Sequence, residues 1–441
     1  MSHRRSLLTL ALTLLVPPTV AKAAEPDPYA GAAARIEKVR KADMTVVVHD
    51  VAGKPVPDAR VSVEQTRHAF LFGCNLFEWG KLESPADEAT YRERFAAVFN
   101  FATLPFYWPS YEPRKGQPQH ANREAIARWC QERGITTKGH PLAWNFADPR
   151  WLPTDPDAAR ALQMARIDDC VTRFRGLIDV FDVVNEATEY ERSEFRRTAP
   201  KMTALIGHAG REDFVLECFR HARAANPRAT LVLNDYVVSE TYVGLLKRLI
   251  ERSGGKAPFD VIGIQSHMHG GVWSDAHVWQ VCDRFAAFGL PLNFTETTIV
   301  SGPRPRGRSW GDFTPNWNST PEGEAKQAEQ VERFYTLLFS HPAVSALTWW
   351  DFADRHAWQG APAGFLRKDL SPKPSYDRLH TLIKERWWTR AALVSDSHGE
   401  AHLRAFLGDY KVTATTGLGR EAVAKLTVAK DAPNRLVVTL P

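Results

Sequence analysis

From Phe70 to Trp350 the chain repeats one unit: a short apolar run typical of a β-strand, a polar loop, and a longer stretch with the period of an amphipathic helix. The predicted strands lie at residues 69–73, 99–104, 136–140, 180–186, 231–235, 261–267, 292–296 and 346–351, and helices between them include 122–133, 158–175, 212–225, 240–253 and 324–340. Strands that alternate with helices favour a parallel sheet, and eight repeats over roughly 280 residues fit a closed (β/α)8 barrel. An open doubly wound sheet is the alternative.

Two flanking segments alternate apolar and polar positions instead, as strands with one exposed face do. The first contains Met44-Thr-Val-Val-Val and Ala59-Arg-Val-Ser-Val-Glu around a Gly53-Lys-Pro turn, and the second contains Ala401-His-Leu-Arg-Ala-Phe. We therefore predict a β appendage at 34–68, the barrel at 69–387, and a small C-terminal β module at 388–441 that supports the barrel or binds carbohydrate.

Polar side chains close almost every predicted barrel strand at its carboxyl end. They are Asn75, His140, Glu186, Asp235, His267, Glu296 and Asp351. Barrel enzymes build their active sites at this end of the strands, so the pattern favours the barrel over the open sheet. No junction between a strand and a helix carries GxGxxG or GxxxxGK, so nucleotide binding has no support.

Two of these strand-end residues, Glu186 and Glu296, predict the chemistry. A lone glutamate at a strand end usually pairs with an arginine or caps a turn. Hydrolysis of a sugar acetal needs one carboxylic acid to protonate the leaving oxygen and one carboxylate to meet the cationic anomeric carbon. A pair of strand-end glutamates therefore suggests a glycosidase.

Composition is consistent with a large domain that binds sugars. The chain has 441 residues, 44% hydrophobic and 11% aromatic, with 14 Trp, and exposed aromatic rings are platforms for flat sugar faces. The net charge of +5 arises from 56 basic and 51 acidic residues without a long block of one sign, so nucleic acid is not an expected partner.

The N-terminus reads as a secretory signal. Residues 1–23 run from Met-Ser-His-Arg-Arg through a Leu-rich stretch to Ala21-Lys-Ala23, which matches the charged, apolar and small-residue regions of such a signal. A membrane anchor is the alternative, but roughly 14 apolar residues fall short of the roughly 20 that span a bilayer. We expect cleavage near Ala23, a secreted or periplasmic protein, and no membrane association afterwards.

Neither the cysteines nor the histidines predict a cofactor. The five cysteines have no CxxC spacing and an odd total, so no metal site or disulfide framework follows, although one disulfide stays possible. The sequence His267-Met268-His269 could bind zinc, as HxH does on some barrel strands, but the first strand ends Phe-Gly-Cys-Asn without further ligands. We expect no metal and no organic cofactor.

Six motifs in order resemble those of glycoside hydrolase family 10, the endo-β-1,4-xylanases. They are Gly139-His-Pro-Leu-Ala-Trp144, Asp182-Val-Val-Asn-Glu186, Asn234-Asp-Tyr236, Gly263-Ile-Gln-Ser-His267, Thr295-Glu296, and the spacing Trp350, Asp354, Trp358. The resemblance implies a retaining double displacement with Glu186 as general acid/base and Glu296 as nucleophile. Retaining pairs lie roughly 5 to 5.5 Å apart.

The resemblance also implies sugar-binding roles for the residues around this pair. Asn185 would hydrogen-bond the sugar 2-hydroxyl, and Gln265 and His267 would hold the nucleophile. The other residues with implied roles would form the walls and floor of the sugar pocket or otherwise bind substrate. They are His140, Trp144, Tyr236, Trp350 and Trp358.

Three departures from the family bear on substrate. On the second strand, Thr103, Leu104 and Tyr107 stand where the family usually has an acidic residue, an Asn and a Lys that bind sugar, and a hydroxyl without its partner costs about 1 to 3 kcal/mol. Thr298 replaces an acidic residue expected to orient His267, and Asn145 replaces a common His. The prediction is a monomeric enzyme that cleaves internal β-1,4 links of xylan or a related hemicellulose. A different glycan, glycan binding without catalysis, and a metal-dependent hydrolase are the alternatives.

Overall fold

The computed structural model describes residues 27–307 and 311–441, so the predicted signal at 1–23 lies outside the described residues. The strands of the described chain are β1 Lys41–Asp50, β2 Arg60–His68, β3 Leu71–Asn75, β4 Phe101–Pro105, β5 Thr136–His140, β6 Val180–Asn185, β7 Thr230–Asp235, β8 Val261–Met268, β9 Leu292–Ile299, β10 Val344–Trp349, β11 Arg390–Val394, β12 Glu400–Phe406, β13 Gly408–Thr415, β14 Glu421–Val428 and β15 Arg435–Leu440.

The helices are α1 Ala32–Arg40, α2 Pro85–Val98, α3 Trp108–Tyr111, α4 His120–Glu132, α5 Pro156–Arg173, α6 Ser193–Thr198, α7 Pro200–Ala209, α8 Arg211–Ala225, α9 Glu240–Arg252, α10 Asp275–Ala286, α11 Pro321–Ser340 and α12 Pro374–Thr381. Within the described residues, no helix combines the length and apolar character needed to cross a membrane.

Strands β3 to β10 form a closed parallel barrel in the order β10-β3-β4-β5-β6-β7-β8-β9. The predicted (β/α)8 fold is confirmed and the open sheet is wrong, because β10 pairs with β3 as well as with β9. Each of the predicted strands is found with its ends within a few residues of the prediction. The barrel brings the carboxyl ends of all these strands to one rim.

Sequence signals fix where several barrel helices begin. Ser84, Asp155 and Thr320 each accept a hydrogen bond from the backbone N–H three residues further on, at 3.1, 2.8 and 3.0 Å. A proline occupies the first turn of each of these helices, where its missing N–H costs nothing. Each cap fixes the residue at which the loop before the helix ends.

A β-sandwich beside the barrel is built from both ends of the chain. One sheet has the order β12-β1-β15 and the other β11-β2-β13-β14. The two sheets enclose apolar side chains that include Val46, Val48, Val61, Val63 and Val412. The segments predicted as an N-terminal appendage and a C-terminal module thus share both sheets.

Candidate active site

The two glutamates lie at the same rim and are both buried, with 6% of Glu186 and 4% of Glu296 exposed. Glu186 follows the last residue of β6 in a left-handed backbone conformation, φ 54° and ψ 42°. Its backbone N–H donates to the carbonyl of Asn234 at 2.8 Å. This hydrogen bond ties the turn that carries Glu186 to the end of β7.

Glu296 contacts polar side chains from three other barrel strands. Asn234 Nδ2 donates to Oε1 at 2.8 Å, His267 Nε2 lies 3.0 Å from Oε2, and His140 Nε2 lies 3.8 Å from Oε1. Burial raises the pKa of Glu296, and the neighbouring His140 and Lys138 oppose that rise. These contacts fix the carboxylate in position, and the positive charges nearby limit the rise of its pKa.

Glu186 has a different environment. Gln265 Nε2 donates to Oε1 at 3.1 Å, and Arg192 Nη2 donates to Oε2. Burial raises the pKa of Glu186 to about 8, Glu296 and Asp235 add to the rise, and Arg192 opposes it. A carboxyl group with such a pKa can carry a proton at neutral pH and give it up, as general acid catalysis requires.

Amide side chains join the two carboxyl groups. Asn234 Nδ2 donates to Asn185 Oδ1 at 2.7 Å as well as to Glu296, and Gln265 Nε2 lies 3.4 Å from Asn185 Oδ1 as well as bonding Glu186. The resemblance had placed Gln265 on the nucleophile, whereas here it bonds Glu186. Asn185 Nδ2 has no hydrogen-bond partner among the described residues, so this buried N–H group is available to a ligand.

A fully buried charge cluster orients His140. Asp182 Oδ2 lies 2.7 Å from His140 Nδ1 and 2.7 Å from Lys138 Nζ. Burial would raise the pKa of Asp182, but Lys138 and His140 hold it below its usual value. Asp182 thereby orients the His140 ring, whose Nε2 faces the site and lies 3.4 Å from Tyr107 Oη.

Aromatic rings pack around the histidines that lie beside Glu296. Trp350 packs edge-on against His140 and His267, with centroids 5.1 and 5.9 Å apart. Trp144 stacks on the half-exposed Phe146 at 4.6 Å, and Trp358 contacts His267 at 4.6 Å. All of the predicted site residues therefore lie in one region of the rim.

Two cavities open along this rim and meet at Trp358, which lines both. The larger, of about 230 Å³, is lined by residues that include Glu186, Arg192, Tyr236, Gln265 and Trp358. The smaller, of about 220 Å³, is lined by residues that include Asn75, Glu78, Tyr107, Trp350 and Asp351. We call these two adjoining cavities the cleft.

The departures from the family pattern alter the cleft in two places. Thr103 and Leu104 are fully buried, so Tyr107 is the member of that trio that lines the smaller cavity. Thr298 Oγ1 accepts from the Met268 N–H at 3.1 Å and lies 3.3 Å from His269 Nδ1. His267 Nδ1 is consequently left without a hydrogen-bond partner among the described residues.

Asn145 and the cysteines have structural contacts. Asn145 Nδ2 donates to the carbonyl of Tyr190 at 2.7 Å and to Thr203 Oγ1 at 2.9 Å, which ties down the loop after Glu186. All five cysteines are buried and unpaired. In the described part of the chain, no three His, Cys, Asp or Glu side chains are grouped so as to hold a metal ion.

Some residues of the site were not predicted. Asn234 stood inside a recognised motif but was not assigned a contact with the nucleophile. Lys138 and Asp182 gave a signal, since charged residues inside apolar strands need buried partners. Arg192 follows Glu186 in a loop without periodicity, so no pattern indicated its contact with that carboxyl group.

A closed parallel barrel with two buried glutamates at its strand ends defines a glycoside hydrolase domain. The chain belongs to glycosyl hydrolase family 10, which matches residues 64–382. The family resemblance drawn from the motifs is thereby confirmed.

Individual relatives are distant. The chain is 26% identical over 391 residues to the anti-sigma-I factor RsgI6 of Acetivibrio thermocellus, covering 86% of this chain and 46% of that protein. It is 26% identical over 323 residues to endo-1,4-beta-xylanase B of Thermotoga neapolitana, covering 68% and 85%. Xylanase 10B of Thermotoga petrophila RKU-1, solved in complex with xylobiose, superposes with a TM-score of 0.59 at 23% identity, covering 72% of this chain and 95% of that one, and shares the fold. The chain thus spans less than half the length of the first of these relatives.

Proposed function

We propose that the protein is a retaining glycoside hydrolase that cleaves internal β-1,4-xylosidic bonds of xylan or a related hemicellulose. The observation that supports this most is the amide bridge through Asn185, Asn234 and Gln265, which brings Glu186 and Glu296 into one site with different partners. The xylanase relatives suggest the substrate, and the predicted signal suggests that the protein meets the polysaccharide outside the cell or in the periplasm. We propose that it acts as a monomer.

In the first step Glu296 attacks the anomeric carbon while Glu186 gives its proton to the glycosidic oxygen. A carbon–oxygen bond forms to Glu296, the glycosidic bond breaks, and its electron pair stays on the leaving oxygen, which departs as a hydroxyl. The proton comes from a carboxyl group whose pKa is raised to about 8 by burial. Glu296 is the better nucleophile because His140 and Lys138 favour its charged form.

In the second step Glu186, now a carboxylate, takes a proton from water as the water oxygen attacks the same carbon. The bond to Glu296 breaks, and the sugar leaves with the stereochemistry of the original linkage. The unpartnered Asn185 Nδ2 donates to the sugar 2-hydroxyl in both steps. Trp144, Tyr236, Trp350 and Trp358 bind the sugar rings, His140 hydrogen-bonds a sugar hydroxyl, and Gln265 and His267 position the two carboxyl groups.

The test is to incubate the mature protein with xylan, mannan, glucan or arabinan and to measure the reducing sugar that is released. We expect release from xylan that is lost in Glu296→Ala and Glu186→Gln but kept in Glu191→Gln, a matched change of an exposed glutamate on the same loop. Proton NMR of the first product should show the β-anomer. An initial α-anomer, or full activity of Glu296→Ala, would contradict the mechanism.

Glycan binding without hydrolysis is a second candidate. It is favoured by the missing partner of His267 Nδ1, by the loss of polar sugar contacts on β4, and by a relative named as an anti-sigma factor. Calorimetric binding of xylohexaose with no product after prolonged incubation would support this function over the first.

A further inference from the structure

Arg192 makes a contact that conflicts with the acid role proposed for Glu186. Its guanidinium donates to Glu186 Oε2, and about a quarter of the Arg192 side chain is exposed. A cation beside a carboxyl group favours the carboxylate, whereas the first step of the reaction needs the proton. The charged groups acting on Glu186 are Arg192, Glu296 and Asp235, of which Arg192 is the cation.

The same guanidinium lies over two aromatic rings. Its central carbon is 4.0 Å from the centroid of Phe195 and 4.7 Å from that of Tyr236. Both rings line the larger cavity, together with Glu186 and Arg192. Arg192 Nε has no hydrogen-bond partner in the described chain, so cation–π contacts and the Glu186 pair hold the side chain.

This side of the cleft is where the departing sugar should lie. The acid has to reach the oxygen that leaves with that sugar, and Glu186 rather than Glu296 lines the larger cavity. The Tyr236 ring is the aromatic surface on which a sugar could stack there. Arg192 lies over one face of that ring, so a sugar stacked on that face and the observed guanidinium position exclude each other.

We propose that Arg192 is a positioning residue that couples occupancy of the leaving-sugar side to proton donation by Glu186. A sugar ring that stacks on Tyr236 displaces the guanidinium from Glu186. The fraction of Glu186 that is still ionised, without its cation, then takes a proton from solvent, and the carboxyl group later delivers its proton to the glycosidic oxygen. Binding of a sugar in the cleft thus favours the protonated form of Glu186. This inference rests on the proposed function.

Proton uptake on binding tests this without turnover. Xylohexaose binding to Glu296→Gln is measured by calorimetry at pH 8 in buffers of different ionisation enthalpy, with and without Arg192→Gln. Arg192 lowers the pKa of Glu186, so displacing it should raise that pKa; we expect net proton uptake on binding, greatly reduced when Arg192 is replaced. Arg197→Gln, an exposed arginine of α6, is the matched control and should leave uptake unchanged.

Kinetics give the second measurement. With an aryl β-xylobioside, which places no sugar on the leaving side, Arg192→Gln should move the basic limb of kcat/KM upward by about one pH unit, with Arg192→Lys in between. With xylohexaose, Arg192→Gln should lower KM.

Equal proton uptake with and without Arg192, an unmoved basic limb, or a higher KM would overturn the coupling. Proton-linked binding without hydrolysis would overturn only the proposed function. No binding of xylohexaose would overturn the coupling and the substrate together.

Discussion

His267 Nε2 lies 3.0 Å from Oε2 of Glu296. Burial lowers the pKa of His267 to about 3, so the ring is neutral in the working pH range and donates through Nε2–H. The proton cannot be on Nδ1 at the same time, and Nδ1 is the nitrogen that has no hydrogen-bond partner among the described residues. His267 therefore acts as a fixed dipole rather than as a charge.

A neutral donor at this position can be replaced by another neutral donor. We expect His267→Gln to keep most of the activity, and His267→Leu to lose about 2 kcal/mol of stabilisation, or about thirtyfold in kcat. The pH–rate profiles of the parent protein and of His267→Gln, measured from pH 5 to pH 8, should show the same ionisations. An ionisation lost in that variant would mean that the imidazole carries charge during the reaction.

Asn234 is predicted to be as important as the histidine, because one amide group serves both Glu296 and Asn185. Asn234→Asp replaces that donor by a second carboxylate next to Glu296. We expect the acidic limb of kcat/KM to move to higher pH and the rate to fall about a hundredfold. Asn293→Asp, the same change at the buried amino end of β9, serves as the control for a new buried charge.

The sequence was sufficient for the barrel and for its two glutamates. Apolar runs closed by polar residues recur along the chain, and strand 136–140 was predicted with both of its observed ends, Thr136–His140. In a parallel barrel the carboxyl ends must share a rim, so Glu186 and Glu296 could be brought together although 110 residues separate their numbers.

The pairing partners of strands and the hydrogen-bond partners of side chains were much harder to predict than the strands and helices themselves. Alternation showed that 44–48 is a strand, but Val46 pairs with Ala401 on one side and Leu436 on the other, and no local pattern encodes such distant partners. Gln265 bonds Glu186 rather than Glu296 because of its strand position and side-chain reach, which the sequence does not contain.

Asp351 leads to a prediction about stability and pH. Burial raises its pKa to about 7, with Asp354 and Glu78 adding to the rise and the Trp358 N–H bond opposing it. In the unfolded chain an aspartate has a pKa of about 3.9. Between about pH 4 and 7 the native state therefore binds more protons than the unfolded state, and the free energy of unfolding falls as the pH rises.

Asp351→Asn removes this titration. The Asn side-chain carbonyl can still accept a hydrogen bond from the Trp358 N–H, which in the parent protein donates to Asp351 Oδ1 at 3.2 Å. Relative to the parent protein, the variant should gain up to about 4 kcal/mol between pH 4 and pH 7 and nothing further above pH 8. Urea unfolding of both proteins at four pH values measures the difference. Parallel stability curves would show that Asp351 titrates normally.

The β-sandwich gives the last prediction, which concerns the division of the chain at residue 388. Outward positions of β13 carry Asp409, Lys411, Thr413 and Thr415, a polar surface without an aromatic platform for sugar. Its strands instead cover the N-terminal ones, since β1 lies between β12 and β15, and β2 between β11 and β13. These contacts favour a supporting role for residues 388–441.

Deletion of 388–441 should therefore damage more than the deleted part. It would leave β1 and β2 without strand partners and expose buried valines at 46, 48, 61 and 63, each worth about 1.5 to 3 kcal/mol of burial. We expect the truncated protein to aggregate, and deletion of both 27–68 and 388–441 to restore solubility with the barrel intact. Thermal unfolding and light scattering measure both effects. A soluble single truncation with an unchanged Tm would instead establish the C-terminal segment as an independent module.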